Sequence, residues 1–256
     1  MLRRRTIAIT CSVATFLALG MVFGTYGVST SSMTPTVAPN EAVLANHWSY
    51  QLSTKSLAPF VVRSFVPHHS LWQWSYPQRG DVVVFAFPGY RDEVSPQHAE
   101  VWLKRVVACA GDTVTVRGDS LIVNNTCVRT LPRRSITPGG EAYITFPKGA
   151  LFTLRNYGPL RVPRRGDTLR LDATTAWEAW ATFIAREHHS VNANGHTIDG
   201  APASHYVVER DYAFCLGDND AESIDSRVIG PIAYENIFGR LTAVLRWPFQ
   251  SAEPQS

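Results

Sequence analysis

From residue 6 to residue 40 the chain carries no Asp, Glu, Lys or Arg, and residues 7–28 of that stretch are mostly Ala, Leu, Ile, Val, Phe and Gly. No other feature constrains the fold as strongly. A helix of roughly 20 apolar residues crosses a hydrocarbon core about 30 Å thick, and residues 7–28 supply that length. Arg3-Arg4-Arg5 sets the orientation, because basic flanks stay on the cytoplasmic side. Everything after Val28 is therefore expected outside the cytoplasm. A cleaved leader would end at a small-x-small site such as Ala18-Leu19-Gly20. The apolar run continues through Met21-Val22-Phe23, however, which favours a retained anchor. The expected plan is a basic tail (1–6), a single-pass anchor (7–28) that makes the lipid bilayer a partner, and a monomeric extracytoplasmic part.

That outer part has the composition of a folded protein: of 256 residues, 45% are hydrophobic and 11% aromatic. The net charge is only +3 and the basic residues are scattered, which argues against nucleic acid as a partner. Four cysteines include Cys11 in the apolar segment, and no CxxC or zinc spacing occurs. Cys109 and Cys127 flank an expected hairpin; a disulfide and a pair of small buried thiols both fit the sequence.

Strand signals dominate after the anchor. Arg79-Gly80-Asp81 turns into the apolar run Val82 to Phe87, ended by Pro88-Gly89. Val101 to Val107, Thr113 to Arg117 and Leu121-Ile122-Val123 read as further strands separated by Gly-Asp turns. Arg165-Gly166-Asp167 repeats the strand-entry turn at Arg79-Gly80-Asp81, and Ile198-Asp199-Gly200-Ala201 signals a hairpin. In Leu71 to Tyr76 alternation puts Trp72, Trp74 and Tyr76 on one face, either half-buried or dipping into the lipid interface. One helix is expected over Asp172 to Glu187, with Trp177, Trp180 and Ile184 on one side and Asp172 or a nearby threonine as its cap. His188-His189 beside Glu187 reads as a solvated helix end rather than a metal site. The fold class is thus mainly β: an antiparallel-sheet core over 29–119 and 206–247, an inserted α+β region over 120–205, and a C-terminal tail over 248–256.

Three separated islands carry the chemistry. Ser32 lies in Ser-Met-Thr-Pro-Thr just after the anchor, Lys104 opens Lys-Arg-Val-Val in a strand, and Gly217-Asp218-Asn219 continues to Asp225-Ser226-Arg227. A serine hydroxyl is a weak nucleophile without a base. Eight histidines are present, none within the islands, and there is no Gly-x-Ser-x-Gly elbow to select one. A lysine serves instead if burial keeps its amine neutral, since desolvation lowers its pKa. On a strand Lys104 shares its face with Trp102 and Val106, both apolar. The carboxylates of 217–225 do not form an EF-hand: the sixth-position glycine is missing and Ile229 stands where the bidentate glutamate belongs.

In their order, and with the anchor, these islands resemble the boxes of bacterial type I signal peptidases, in a longer form with an inserted region. The resemblance spans residues 7–240 and includes Arg79-Gly80-Asp81-Val82 and Gly111-Asp112. It implies a membrane-bound serine endopeptidase of the bacterial inner membrane, acting on its extracytoplasmic side without a cofactor or metal. Its partners would be exported preproteins, cleaved after small residues at −1 and −3. Ser32 would be the nucleophile and Lys104 the base, with the oxyanion held by the Ser32 N–H and the Thr30 hydroxyl. Ser223 would orient Lys104, with Asp218, Asn219, Asp225 and Arg227 in support; Val28, Met33, Val84 and Leu103 would line the substrate pockets. Asp220 departs from the family pattern, where a basic residue is usual, and is expected to face solvent. A Ser/Lys peptidase with one dedicated substrate, or an inactive tethered homologue, are the alternatives.

Overall fold

The structure, a computed structural model, describes residues 20, 22–57, 66, 69–131 and 145–246. Its largest sheet runs, side by side, β1 (Phe23–Gly27), β2 (Ala42–Asn46), β18 (Ile237–Leu245), β5 (Val82–Ala86), β6 (Val101–Ala108), β16 (Tyr212–Leu216) and β17 (Ile232–Ala233). All of these pairings are antiparallel. A second antiparallel sheet orders β10 (Asn156–Arg161), β7 (Thr113–Arg117), β8 (Ser120–Val123) and β9 (Thr126–Thr130). Short pairs complete the β structure: β3 (Gln51–Ser53) with β4 (Ser70–Gln73), β11 (Thr168–Arg170) with β15 (His205–Val207), and the ribbon β12 (Val191–Asn192), β13 (Thr197–Ile198), β14 (Ala201–Pro202). Helices are few: α1 (Thr54–Leu57), α2 (Thr174–Arg186) and α3 (Ser226–Ile229). The mainly β expectation holds among the described residues.

The β5 run is buried at four of its five positions, as an interior strand with apolar residues on both faces must be. Both Arg-Gly-Asp triplets are turns. Gly80 and Gly166 take φ of +95° and +87°, where a side chain would be strained, and Asp81 and Asp167 each accept a hydrogen bond from the backbone N–H three residues earlier. The β13–β14 turn likewise puts Asp199 and Gly200 at positive φ. Helix α2 buries Trp177, Phe183 and Ile184 against the core formed by β7, β8 and β10.

Several expectations need correcting. The second sheet already includes β7, so position 120 falls inside the β7–β8 hairpin; the chain changes sheet earlier, at the Gly111-Asp112 turn. Residues 7–19 and 21 of the expected anchor lie outside the described residues. Its last residues, Phe23–Gly27, form an edge strand whose backbone groups pair with β2 instead of within a helix. Among the described residues no helix is long and apolar enough to cross a membrane. Helix α2 has no side-chain cap: Ala173 is the N-cap residue, and Asp172 binds Arg170. Glu187 is buried, not solvated, and accepts from the hydroxyls of Tyr206 and Tyr212. Cys109, Cys127 and Cys215 are free thiols.

Candidate active site

Ser32 sits in the turn that follows β1. Thr34 N–H binds the Ser31 carbonyl and Val37 N–H the Met33 carbonyl, while the buried side chains of Met33 and Val37 seat the turn in an apolar cluster with Val43 and Val82. Lys104 lies in the middle of β6, paired with Val83 on one side, and Cys215 of β16 contributes to its electrostatic surroundings from the other. Strand β16 is buried throughout and delivers the loop 217–225 to the nucleophile. The two side chains, 72 residues apart in sequence, meet: Lys104 Nζ is 2.9 Å from Ser32 Oγ, and the two residues are only 5% and 6% exposed.

Burial is the largest influence on the Lys104 amine and lowers its pKa from the usual 10.5; Asp225, Cys215 and Asp218 pull the other way without overcoming it. The amine also donates to the Leu103 carbonyl at 3.1 Å and lies 5.3 Å from the centre of the Trp102 ring, the same-face neighbour that strand alternation requires. Thr30 Oγ1 stands 3.2 Å from Ser32 Oγ. A shielded amine beside a hydroxyl, with a second hydroxyl within reach, can take up the serine proton and steady a developing oxyanion.

The supporting loop is built of polar contacts. Asn219 fixes the backbone at Ser32, its N–H donating to the Ser32 carbonyl at 3.0 Å and its side-chain amide to the Ser31 carbonyl at 3.3 Å. Gly217 is required by close approach: a Cβ there would stand 2.2 Å from Ser223 Oγ and 2.5 Å from the Ser32 carbonyl oxygen. Asp218 is clamped by Arg105 (2.6 Å), Arg129 (3.2 Å) and the Thr36 hydroxyl (2.6 Å). Burial would raise its pKa, but Arg105, Thr36 and Arg129 together bring it below the usual carboxylate value. Arg227, fully buried, pairs with Asp225 at 2.7 Å and also with Asp220 at 2.6 Å. Burial opposes the Arg227 charge, yet the two carboxylates raise its pKa.

Asp220 therefore corrects the sequence reading. It is 1% exposed, not solvent-facing, because Arg227 and, at 3.3 Å, Arg155 just before β10 draw it inward. Ser223 differs as well: its hydroxyl is buried without a hydrogen-bond partner, so the bond expected to Lys104 is not formed in this structure. Val28, Met33, Val84 and Leu103 all line one cleft of about 380 Å³ that opens onto Ser32 and Lys104. The same cleft takes in Trp102, the expected same-face neighbour of Lys104, together with Tyr26, Glu100, Glu222 and Ile224, which sequence reasoning passed over. The roles of Arg105 and Arg129 were also missed; the position of Arg105 directly after the lysine was the available signal for the first, and nothing in the sequence pointed to the second.

A β-rich fold with a buried amine–hydroxyl pair at the floor of an apolar cleft has the makings of a serine hydrolase. The signal peptidase, peptidase S26, family model matches residues 2–247, and the chain belongs to that family. It is a serine peptidase of the signal-peptide-processing kind, and its substrates are preproteins bearing signal peptides. Signal peptidase I of Buchnera aphidicola subsp. Schizaphis graminum is 21% identical over 90% of this chain and 70% of its own length. That of Rickettsia typhi is 26% identical over 86% and 70%. A solved signal peptidase I from Enterococcus faecalis is 21% identical and covers 65% of this chain and 97% of its own, with a TM-score of 0.30, too low to bear on the fold.

Proposed function

We propose that this chain is a membrane-anchored signal peptidase using a Ser32–Lys104 dyad. Ser32 Oγ attacks the scissile carbonyl carbon while its proton passes to the neutral Lys104 amine. The Ser32 N–H and the Thr30 hydroxyl stabilise the oxyanion. On collapse Lys104 returns the proton to the departing amine, leaving an ester on Ser32 that water hydrolyses with Lys104 again as base. Asn219 holds the nucleophile's backbone, and Asp218, Asp225 and Arg227 keep the loop in place. The observation that carries this reading is the 2.9 Å separation of two buried groups, one of them an amine with a lowered pKa.

Val28, Met33, Val84 and Leu103 make the cleft apolar beside the dyad, which suits small side chains at −1 and −3. The anchor is the apolar stretch that begins at Ile7 and ends before β1. A bilayer contact beyond the anchor is supported by Leu71, Trp72, Trp74 and Tyr76, which leave 53%, 70%, 50% and 55% of their surfaces exposed around β4. The enzyme acts as a monomer at the extracytoplasmic face of the inner membrane.

The test is cleavage of a secretory precursor with an Ala-x-Ala site, in detergent or lipid. Wild type should cleave it once, after the second alanine; Ser32→Ala and Lys104→Met should each abolish cleavage with unfolding midpoints unchanged. Full activity in either variant would refute the dyad, and absence of activity in wild type would favour the inactive-homologue alternative.

A further inference from the structure

Residues 217–227 carry four carboxylates: Asp218, Asp220, Glu222 and Asp225. Three are neutralised. Asp218 pairs with Arg105 and Arg129, Asp220 with Arg227 and Arg155, and Asp225 with Arg227. Among the described residues Glu222 has no basic partner. It is exposed at the mouth of the catalytic cleft and held by two donors, the Ser31 hydroxyl and the Asn219 side-chain amide, the latter at 3.3 Å. Those donors matter because they fix the carboxylate one residue from the nucleophile, where a free glutamate would swing into solvent.

Among the described residues the cleft holds no free cation to compensate that charge. Its amine, Lys104, has its positive charge disfavoured by burial. The other carboxylate among the described lining residues, Glu100, adds a second acidic group and accepts from Trp102 Nε1 at 2.8 Å on the β6 side. Glu100 precedes Lys104 by four residues, about 13 Å along an extended strand. Glu222 is instead bonded to Ser31, the residue before Ser32.

We propose that Glu222 is a specificity determinant that favours a cationic side chain, and disfavours an acidic one, at a substrate position flanking the scissile bond. This rests on the reading of the cleft as the signal-peptide site. A carboxylate and an ammonium about 4–5 Å apart at a wet rim attract by roughly the amount that changes a rate severalfold, and an acidic side chain is repelled by as much. Lys and Glu at the sensitive position should therefore differ by about tenfold at low salt, and the difference should shrink towards unity near 1 M salt, where the Debye length is about 3 Å.

The experiment uses the full chain in detergent and a precursor peptide in which each position from −2 to +2 carries Ala, Lys or Glu in turn. Relative kcat/KM is compared between wild type and Glu222→Gln, each normalised to the all-Ala parent. At one or more positions wild type should prefer Lys over Glu by about tenfold, and Glu222→Gln should bring that ratio close to one. The same peptides are titrated against Ser32→Ala by fluorescence, so that charge preference is read from binding without turnover. A Lys/Glu ratio near one in wild type, or a ratio that survives Glu222→Gln, overturns the proposal. If wild type cleaves nothing while Ser32→Ala still binds Lys peptides more tightly and adding Glu222→Gln removes the preference, the catalytic reading fails and this one stands.

Discussion

Replacing Arg227 by methionine is the sharpest structural test of the loop, because the cation sits at 0% side-chain exposure between carboxylates that are 0% and 2% exposed. The methionine fills most of the volume and donates nothing. Asp225 would lose a bidentate partner at 2.9 and 2.7 Å, Asp220 a contact at 2.6 Å, and the Leu154 carbonyl a donor at 3.0 Å. Removing one partner of a buried ion pair costs about 3–5 kcal/mol, mainly from the stranded charge, and the orphaned carbonyl adds about 1 kcal/mol. Arg155 still faces Asp220 at 3.3 Å and offsets part of that. A loss of about 4 kcal/mol is expected in urea unfolding of the full chain in detergent at neutral pH. Two further results follow if the stranded charge is the cause. Adding Asp225→Asn, which keeps an acceptor for the Arg227-position backbone N–H, should restore about 1–2 kcal/mol. The deficit should also shrink as pH falls, because a stranded carboxylate binds its proton more tightly when folded than when unfolded. A loss below about 1 kcal/mol, or a double variant less stable than the single one, would refute the reasoning.

Three other outcomes are expected. Thr30→Val keeps the side-chain shape but removes the hydroxyl 3.2 Å from Ser32 Oγ; kcat should fall about 10²-fold, the measured worth of such a donor, with KM little changed in steady-state assays. Gly217→Ala forces a Cβ against the Ser32 carbonyl oxygen at 2.5 Å, and thermal unfolding should register a loss of about 1–3 kcal/mol together with reduced cleavage. Ser223→Ala removes a buried hydroxyl that has no partner among the described residues, so stability should hold or rise by about 1 kcal/mol as its desolvation cost is relieved; a fall in kcat without loss of stability would then show that the hydroxyl acts only once substrate is bound.

What the sequence revealed and what it hid divide along physical lines. Strands over Val82 to Ala86, Val101 to Ala108 and Thr113 to Arg117 were legible because interior strands require apolar or alternating residues, and Gly-Asp turns mark their ends. Helix α2 was legible through Trp177 and Ile184, whereas its cap was not, since Asp172 had a nearer partner in Arg170. Ser32 and Lys104 stood out as motifs, yet their meeting depends on strand order, which no local pattern encodes. Asp220 shows the limit most clearly. An aspartate in a polar loop reads as solvated, and only the convergence of Arg227 from α3 with Arg155 from the turn before β10 makes it a buried ion. The end of β1 misled for a similar reason: Phe23–Gly27 is apolar enough for lipid, and its pairing with β2 is a long-range fact.

The most direct measurement is the pKa of the Lys104 amine, followed by the NMR shifts of a selectively labelled lysine side chain in the Ser32→Ala enzyme, with the kcat/KM profile of wild type recorded alongside. Desolvation dominates at this amine, so its titration should fall clearly below the usual 10.5, and cleavage should rise with pH through that same midpoint as the free base forms. A lysine titrating at or above 10.5, or a cleavage rate indifferent to its protonation, would contradict the account.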